Sequence, residues 1–142
     1  MSPKMISLEA EPRPAFGNWV MARAAANAAR ALVRLEPLRL RTVLEFLRKG
    51  AHPASRLETS RARSEVVGSS PRCAGPRCLE RSLATAMLCR LRGVWPEWCT
   101  GVSLEPFSAH AWVEAEGEPI GEEAGEIRLF RVVMRVPAQA TE

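Results

Sequence analysis

The 142-residue sequence predicts an α+β fold, in which N-terminal helices precede a small antiparallel sheet. The first observation is that apolar residues recur at helical spacing through most of the N-terminal part of the chain. The second is that apolar and polar residues alternate towards the C-terminus, between turns that contain glycine and proline. The length suits one domain with a modest core. An apolar fraction of 46% and a charged fraction of 25% are typical of a globular protein.

The N-terminal part is predicted to be helical after a short tail. Residues 1–16 are rich in proline and glutamate and are interpreted as a flexible tail. Residues 17–70 are predicted to form an N-terminal helical region. Its first helix spans about residues 18–35, and the apolar side of that helix is marked by Trp19, Val20, Ala24, Ala28, Ala31, Leu32 and Leu35.

Two further helices are predicted in the same region. Pro37 suits the first turn of a helix from Leu38 to Arg48, and Gly50 is expected to end it. A third helical stretch is predicted at about residues 57–67. Gly and Pro in the segment that follows indicate a break before the next element.

Residues 71–142 are predicted to be the core of the same compact domain, with one helix packed on the sheet. Residues 73–76 form a tight loop before that helix, which spans about residues 78–92 and carries an apolar series at Leu79, Leu83, Met87 and Leu91. Strands are predicted at about residues 98–104, at 109–115 and, as a short third strand, from Pro119 onward. The segment 129–136 fits a strand or a short helix.

Charge and hydropathy exclude several classes of function. The net charge is +4, but no dense Lys/Arg block is interleaved with aromatic residues, and the chain has no tyrosine. Nucleic acid is therefore not expected as a partner. No uncharged apolar run is long enough to cross a membrane, and the N-terminus does not resemble a targeting signal. We expect a cytoplasmic protein whose cysteines stay reduced.

Cys78 has the context of a catalytic thiol. It stands at the start of the predicted core helix, after Gly75 and Pro76, and arginines lie nearby at positions 72, 77 and 81. A thiol is a good nucleophile only as the thiolate, and a helix N-terminus and nearby cations lower the pKa of the thiol. A backbone N–H at the same helix start suits the oxyanion of a tetrahedral intermediate. Cys78 is therefore predicted to be a nucleophile, with a small core residue as the plain alternative.

The other cysteines favour neither a metal site nor a disulfide. The spacing is C-x4-C-x10-C-x9-C, whereas zinc sites usually have two short pairs. Cys89 and Cys99 are expected in the core, and a Cys73–Cys78 disulfide is disfavoured in a reducing compartment. No metal and no cofactor are predicted.

His110 is the candidate base, and a glutamate is the candidate third member of a triad. His110 begins an alternating strand, while His52 precedes a proline in a loop and is interpreted as a surface residue. A carboxylate on the neighbouring third strand would accept the second ring N–H of His110 and stabilise the imidazolium. Among the acidic residues after His110, Glu122 is favoured because the chain has then turned back towards His110; the others are Glu114, Glu116 and Glu123.

Two motifs carry a resemblance to a known family. The first is Cys78-Leu79-Glu80-Arg81-Ser82-Leu83, preceded by Arg72-Cys73-Ala74-Gly75-Pro76-Arg77. The second is Pro106-Phe107-Ser108-Ala109-His110-Ala111-Trp112-Val113-Glu114. In this order and at this distance, they resemble the leader peptidases of lasso-peptide biosynthesis, the transglutaminase-like B proteins. The resemblance covers about residues 70–123.

The resemblance implies a fold, a reaction and a set of partners. The fold would be a transglutaminase-like or papain-like core, and the family's catalytic residues fall on Cys78, His110 and Glu122. Glu122 departs from the family, because many members have Asp there. Members remove the leader from a ribosomally made precursor peptide, and a separate ATP-dependent macrolactam synthetase then closes the core. The helices before Cys73 imply the stand-alone type, which depends on a separate leader-recognition protein.

The reaction expected from these residues is peptide-bond hydrolysis through a thioester. Docking of the leader on a partner would raise its effective concentration, and an exposed edge strand near residues 102–104 is a further expected contact for it. Two alternatives remain open. One is a transglutaminase-like acyltransferase, in which an amine replaces water. The other is a non-catalytic scaffold or binding module in peptide maturation, in which Cys78 and His110 are structural.

Overall fold

A computed structural model describes residues 11–139, and it confirms the α+β fold. The predicted tail at residues 1–16 therefore falls mainly outside the described residues. The helices are α1 (Phe16–Leu32), α2 (Pro37–Leu47), α3 (Arg56–Ser69), α4 (Pro71–Ala74), α5 (Cys78–Leu91) and α6 (Ala124–Ile127). The strands are β1 (His52–Pro53), β2 (Val94–Trp95), β3 (Glu97–Leu104), β4 (Phe107–Ala115), β5 (Glu118–Pro119) and β6 (Arg131–Val136).

The main sheet has four antiparallel strands in the order β5-β4-β3-β6. Strand β3 pairs with β4 along its whole length and with β6 as far as Val102. The expectation of an edge strand near residues 102–104 is therefore wrong at Val102, and the long edge strand is β6. β5 pairs only with Glu114 and Ala115, so the middle of β4 keeps a free edge. A separate parallel pair joins β1 to β2.

Helix α5 lies at the centre of the molecule. It contacts α1 and α3 as well as β4, and its residues from Ser82 to Cys89 are all buried. The predicted apolar series holds at Leu83 and Met87, but Leu91 is 57% exposed. A helix covered on several sides has no single apolar stripe, because small and polar side chains such as Thr85 are buried beside the large ones.

Helix α1 packs on α5 through alanines, and the predicted apolar side is wrong except at Leu32 and, just beyond the helix, Leu35, which pack against the core. The buried residues of α1 are Ala22, Ala25, Ala26 and Ala29, whereas Val20 is 46% exposed. Their spacing is that of one helix face. Alanine side chains allow two helices to approach closely, and this favours the alanine face over one with larger residues.

Helix α3 ties the N-terminal region to the hairpin that precedes Glu122. Its start is fixed by a capping box, in which Ser55 and Glu58 each accept a hydrogen bond from the other's backbone N–H. Arg56 then binds the β4–β5 turn: its N–H donates to Glu116, and its guanidinium donates to Glu118 at 2.9 Å. The turn is therefore anchored on a helix from the other half of the chain.

Within residues 11–139, we find no helix with the length and apolar character needed to cross a membrane.

Candidate active site

Cys78 is the first residue of α5, as the sequence predicted. The segment before it is not a plain loop, because Pro71–Ala74 form the single-turn helix α4. Arg81, one turn into α5, donates from its guanidinium to the carbonyls of Cys73 and Gly75, at 3.3 Å and 2.8 Å. The segment that precedes Cys78 is thus fixed by hydrogen bonds from α5 itself. Cys78 is half-buried, which leaves its sulfur within reach of a substrate.

The three arginines near Cys78 have different roles. Arg72 and Arg77 both face Glu80, and Arg72 holds both of its carboxylate oxygens, with N···O distances of 3.0 Å and 2.5 Å. Glu80 is buried, and hydrogen bonding from Arg72 lowers its pKa. Arg81 is the arginine whose charge helps to lower the pKa of Cys78. The expectation that all three act on the thiol is therefore too simple, since two of them neutralise a buried carboxylate.

His110 lies between Cys78 and Glu122, so the three predicted site residues meet. On one side, the imidazole interacts with the Cys78 side chain, and this interaction raises the pKa of His110. On the other, its Nε2 is 3.1 Å from Oε1 of Glu122. Because Nε2 faces the carboxylate, Nδ1 is the ring nitrogen left for the sulfur. The backbone of Ala111, at the free edge of β4, also hydrogen-bonds with the Cys78 side chain.

These contacts favour a thiolate–imidazolium pair. Burial by itself would raise the pKa of Cys78, but hydrogen bonds from His110 and Ala111, with the charges of His110 and Arg81, lower it. Hydrogen bonds to Cys78 and Glu122 raise the pKa of His110 to about 9, against an opposing effect of burial. Both shifts favour the charged forms, and a lowered pKa is what a nucleophilic thiol requires.

Two aromatic rings hold the imidazole of His110 from the side. Trp112 stacks on it with ring centroids 5.8 Å apart, and Phe130 lies 5.5 Å away. Gly101, the partner of His110 on β3, makes room for them. A Cβ at position 101 would lie 3.0 Å from the Trp112 ring and 3.2 Å from Phe130 Cβ. Gly101 and Phe130 were not predicted from the sequence. A glycine inside a predicted strand indicates a close approach of another group, so Gly101 could have been found in this way, whereas Phe130 has no such local signal.

Glu122 is placed by a turn and not by a strand. Strand β5 ends at Pro119, so the prediction of a third strand beginning with Pro119-Ile120-Gly121 is wrong beyond its first residue. The chain bends at Gly121, where φ is +71°. A Cβ at Gly121 would lie 2.3 Å from Nε of Arg63, so the buried guanidinium on α3 packs directly against the turn. Positive φ and close approach both require glycine there.

Two of the other carboxylates considered for the triad, Glu114 and Glu116, have partners elsewhere. Glu114 accepts a hydrogen bond from the Trp112 indole at 2.8 Å and pairs with Arg135. Glu116 and Glu118 bind Arg56. Glu123 is exposed and precedes α6. Glu122, with a side chain 15% exposed, is the acidic group that contacts the imidazole.

The remaining cysteines have the opposite environment to Cys78. All four cysteines are free thiols. Burial raises the pKa of Cys73, and it raises those of Cys89 and Cys99 to about 12. Cys99 lies near Glu97 and Glu114, a grouping of metal-ligand types, but Arg135 pairs with both carboxylates. The guanidinium supplies the positive charge that a cation would bring there.

An apolar cleft of about 330 Å³ opens beside Cys78 and His110. Its floor is the sheet face that carries Trp98, Ala111 and Met134, and its far wall comes from the corner between α1 and α2. The cleft therefore joins the reactive thiol to residues far away in the sequence. Such a place suits a substrate that approaches the sulfur.

The described site has the elements of cysteine acyl chemistry: a thiol with a lowered pKa, an imidazole with a raised pKa, a carboxylate and an adjoining cleft. A family model described as the transglutaminase-like superfamily matches residues 22–135. The chain belongs to this superfamily.

Membership in the transglutaminase-like superfamily agrees with a cysteine peptidase or an acyltransferase. The matched segment begins within α1 and ends within β6, so it includes the N-terminal helices as well as the sheet. Neither the comparison with curated proteins nor that with solved structures gave a match. The catalytic roles of Cys78, His110 and Glu122 stay predictions, now supported by their mutual contacts.

Proposed function

We propose that this chain is a cysteine endopeptidase that removes the leader from a ribosomally synthesised lasso-peptide precursor. The observation that carries the reaction type is that His110 contacts Glu122 at 3.1 Å and shares an apolar cleft with Cys78, whose interaction raises the pKa of His110. The substrate is proposed from the resemblance of the two motifs around Cys78 and His110. Membership in the transglutaminase-like superfamily agrees with this chemistry.

The first half of the reaction forms a thioester. The Cys78 thiolate attacks the carbonyl carbon of the last leader residue, and a C–S bond forms. The uncapped N–H groups in the first turn of α5 are the donors best suited to the resulting oxyanion. The C–N bond then breaks, and the His110 imidazolium gives its proton to the departing amine of the core peptide.

The second half releases the leader. Water gives a proton to the now neutral His110 and adds to the thioester carbonyl as hydroxide. The C–S bond breaks, and the leader leaves as a carboxylic acid. The Cys78 thiolate is restored beside the His110 imidazolium. Glu122 stays ionised throughout and stabilises that imidazolium through Nε2.

The proposed pathway uses partners at two points. A separate leader-recognition protein would present the leader and raise its local concentration at Cys78. The ATP-dependent macrolactam synthetase would then act on the released amine of the core. Both partners are proposed from the family resemblance.

Cleavage of a precursor peptide tests this function. We expect the purified chain, mixed with precursor and leader-binding partner, to give a free core and a leader acid by mass spectrometry. Cys78→Ala should lower the rate by more than about 10³-fold, because no other group replaces the nucleophile. Cys89→Ala is the matched control, since Cys89 lies three turns along the same helix with a raised pKa. It should cleave normally.

The same experiment separates the two alternatives. A transglutaminase-like acyltransferase forms the same thioester but gives a leader amide when an amine is present, and the product mass identifies it. If the chain is a scaffold, the Cys78→Ala variant would support maturation as well as the unchanged chain does. An intact precursor in the presence of the partner would contradict leader cleavage.

A further inference from the structure

The cleft beside Cys78 is lined almost entirely by apolar side chains. Leu35, Pro37 and Leu40 come from the α1–α2 corner, Leu79 from α5, and Val133 and Met134 from β6. Apart from Cys78 and His110, its lining residues carry no titratable side chain. His110 is already engaged by Cys78 and Glu122. A charged substrate group in the cleft would thus lose its hydration without gaining a partner.

The volume of the cleft suits peptide side chains. About 330 Å³ is at the lower end of the range for small-ligand pockets. Burial of an apolar side chain there favours binding in proportion to the apolar area removed from water. Recognition would come from this burial, because the walls present few polar groups to orient a ligand.

Because the reaction passes through a thioester, one half of the substrate stays next to the pocket for longer than the other half. The acyl half stays bonded to Cys78 from attack until hydrolysis, whereas the amine half leaves after the first step. A pocket that opens at the sulfur therefore acts on the acyl half in both steps.

We propose that this cleft is a specificity pocket for a large apolar side chain of the acyl half, and that the α1–α2 corner forms its selective wall. This inference rests on the proposed function and names the substrate class of the same site. It also gives the N-terminal helices a role in substrate selection. Leu35 is the specificity residue to test, because it is half-buried on the connection and not inside a helix.

Dipeptidyl chloromethyl ketones test the pocket without the precursor. The Cys78 thiolate displaces chloride and forms a C–S bond, and intact mass gives the rate of labelling. The reagents carry leucine, glutamine, lysine or glutamate at either of the two positions before the ketone. We expect leucine to react at least tenfold faster than glutamine at one position, and lysine and glutamate to be slower still. Equal rates for leucine and glutamine at both positions would overturn the proposal.

Two variants of the same corner compare a residue that lines the cleft with one that does not. Leu35→Gln should reduce the preference for leucine by at least threefold. Leu38→Gln is the matched control, because Leu38 is 74% exposed and does not line the cleft. If Leu35→Gln fails to fold, Pro37→Gln replaces it, since Pro37 belongs to the same corner, lines the cleft and is exposed. Unchanged preference in the folded variant would contradict the assigned wall.

The outcomes distinguish this inference from leader cleavage. A leucine preference without cleavage of the precursor would retain the pocket and remove the proposed peptidase function. Cleavage of the precursor with no leucine preference would retain the proposed peptidase function and remove the pocket. A Cys78 that reacts with iodoacetamide but with none of the ketones would overturn the pocket as well.

Discussion

At the scale of single residues, the decisive feature is that Cys78 and His110 shift each other's pKa in opposite directions. The pKa of the thiol is lowered, and that of the imidazole is raised to about 9. We therefore expect the charged pair in the pH window between the lowered pKa of the thiol and the raised pKa of the imidazole. Activity should follow a bell-shaped pH profile, with the acidic limb set by protonation of the thiolate. The alkaline limb reflects loss of the imidazolium proton, and both limbs belong to the coupled pair.

Glu122→Gln should move the alkaline limb of the pH profile to lower pH. The carboxylate raises the pKa of His110 by a hydrogen bond and by its charge, so its removal lets the imidazolium lose its proton more readily. We expect a shift of about one pH unit or more in the alkaline limb of kcat/KM for precursor cleavage. The measurement is the cleavage rate as a function of pH.

Glu123→Gln is the control for that prediction. It makes the same Glu-to-Gln substitution at the neighbouring, exposed glutamate and should leave the pH profile unchanged. If Glu122→Gln and Glu123→Gln have the same alkaline limb, the contact seen between Glu122 and His110 does not act on the imidazolium.

At the scale of elements, the hairpin of β3 and β4 carries His110 and Trp112, and Gly101 of β3 lies close to both flanking rings, those of Trp112 and Phe130. Gly101→Ala should disturb this arrangement, because the added Cβ would lie 2.8 Å from the Arg131 carbonyl oxygen and 3.0 Å from the Trp112 ring. We expect a loss of about 1–3 kcal/mol in the free energy of unfolding, measured by urea denaturation. The cleavage rate should also fall, since Trp112 and Phe130 both contact the imidazole.

Gly125→Ala provides the comparison for this glycine. Gly125 lies in α6, and a Cβ there meets nothing within 4 Å. Alanine should leave stability unchanged or raise it by up to about 1 kcal/mol. A Gly101→Ala protein as stable and as active as Gly125→Ala would show that the β3–β4 hairpin adapts to the added methyl group.

Elements whose signals are local were predictable from the sequence. The start of α5 at Cys78 and the strand around His110 follow from Gly, Pro and alternation within a few residues, and both are confirmed. The buried face of α1 was not predictable in this way, because alanine is compatible with either side of a helix. Its burial depends on α5, which lies far along the chain.

The site shows the same division between local and distant information. Cys78, His110 and Glu122 were identifiable by residue type, order and spacing. Glu80 as the partner of Arg72, Arg63 beneath Gly121, and Leu35 in the cleft were not. Each of these depends on contacts between elements that the sequence does not order in space.

At the scale of the whole molecule, the larger buried core of residues 11–139 joins the N-terminal helices to the half that carries Cys78 and His110. It includes Ala29 of α1, Leu44 of α2, Val66 of α3, Leu88 of α5 and Trp98 of β3. A core shared in this way implies that the two halves unfold together. Leu40 belongs to this core and Leu35 packs against it, so the α1–α2 corner that lines the cleft beside Cys78 is anchored in the same core.

Ala29→Leu tests this shared core. Ala29 is fully buried in α1, which packs on α5, and leucine there should overpack the interface. We expect the free energy of unfolding to fall by about 1–3 kcal/mol. Ala28→Leu, on the exposed side of the same helix, should change it little.

Helix content by circular dichroism and the fluorescence of the tryptophans, three of which lie in β2, β3 and β4, should report one shared midpoint of unfolding. Two separate midpoints, with the fluorescence transition unmoved by Ala29→Leu, would mean that the helices and the catalytic half are independent units. In that case the N-terminal helices would not be the source of a rigid wall beside the thiol.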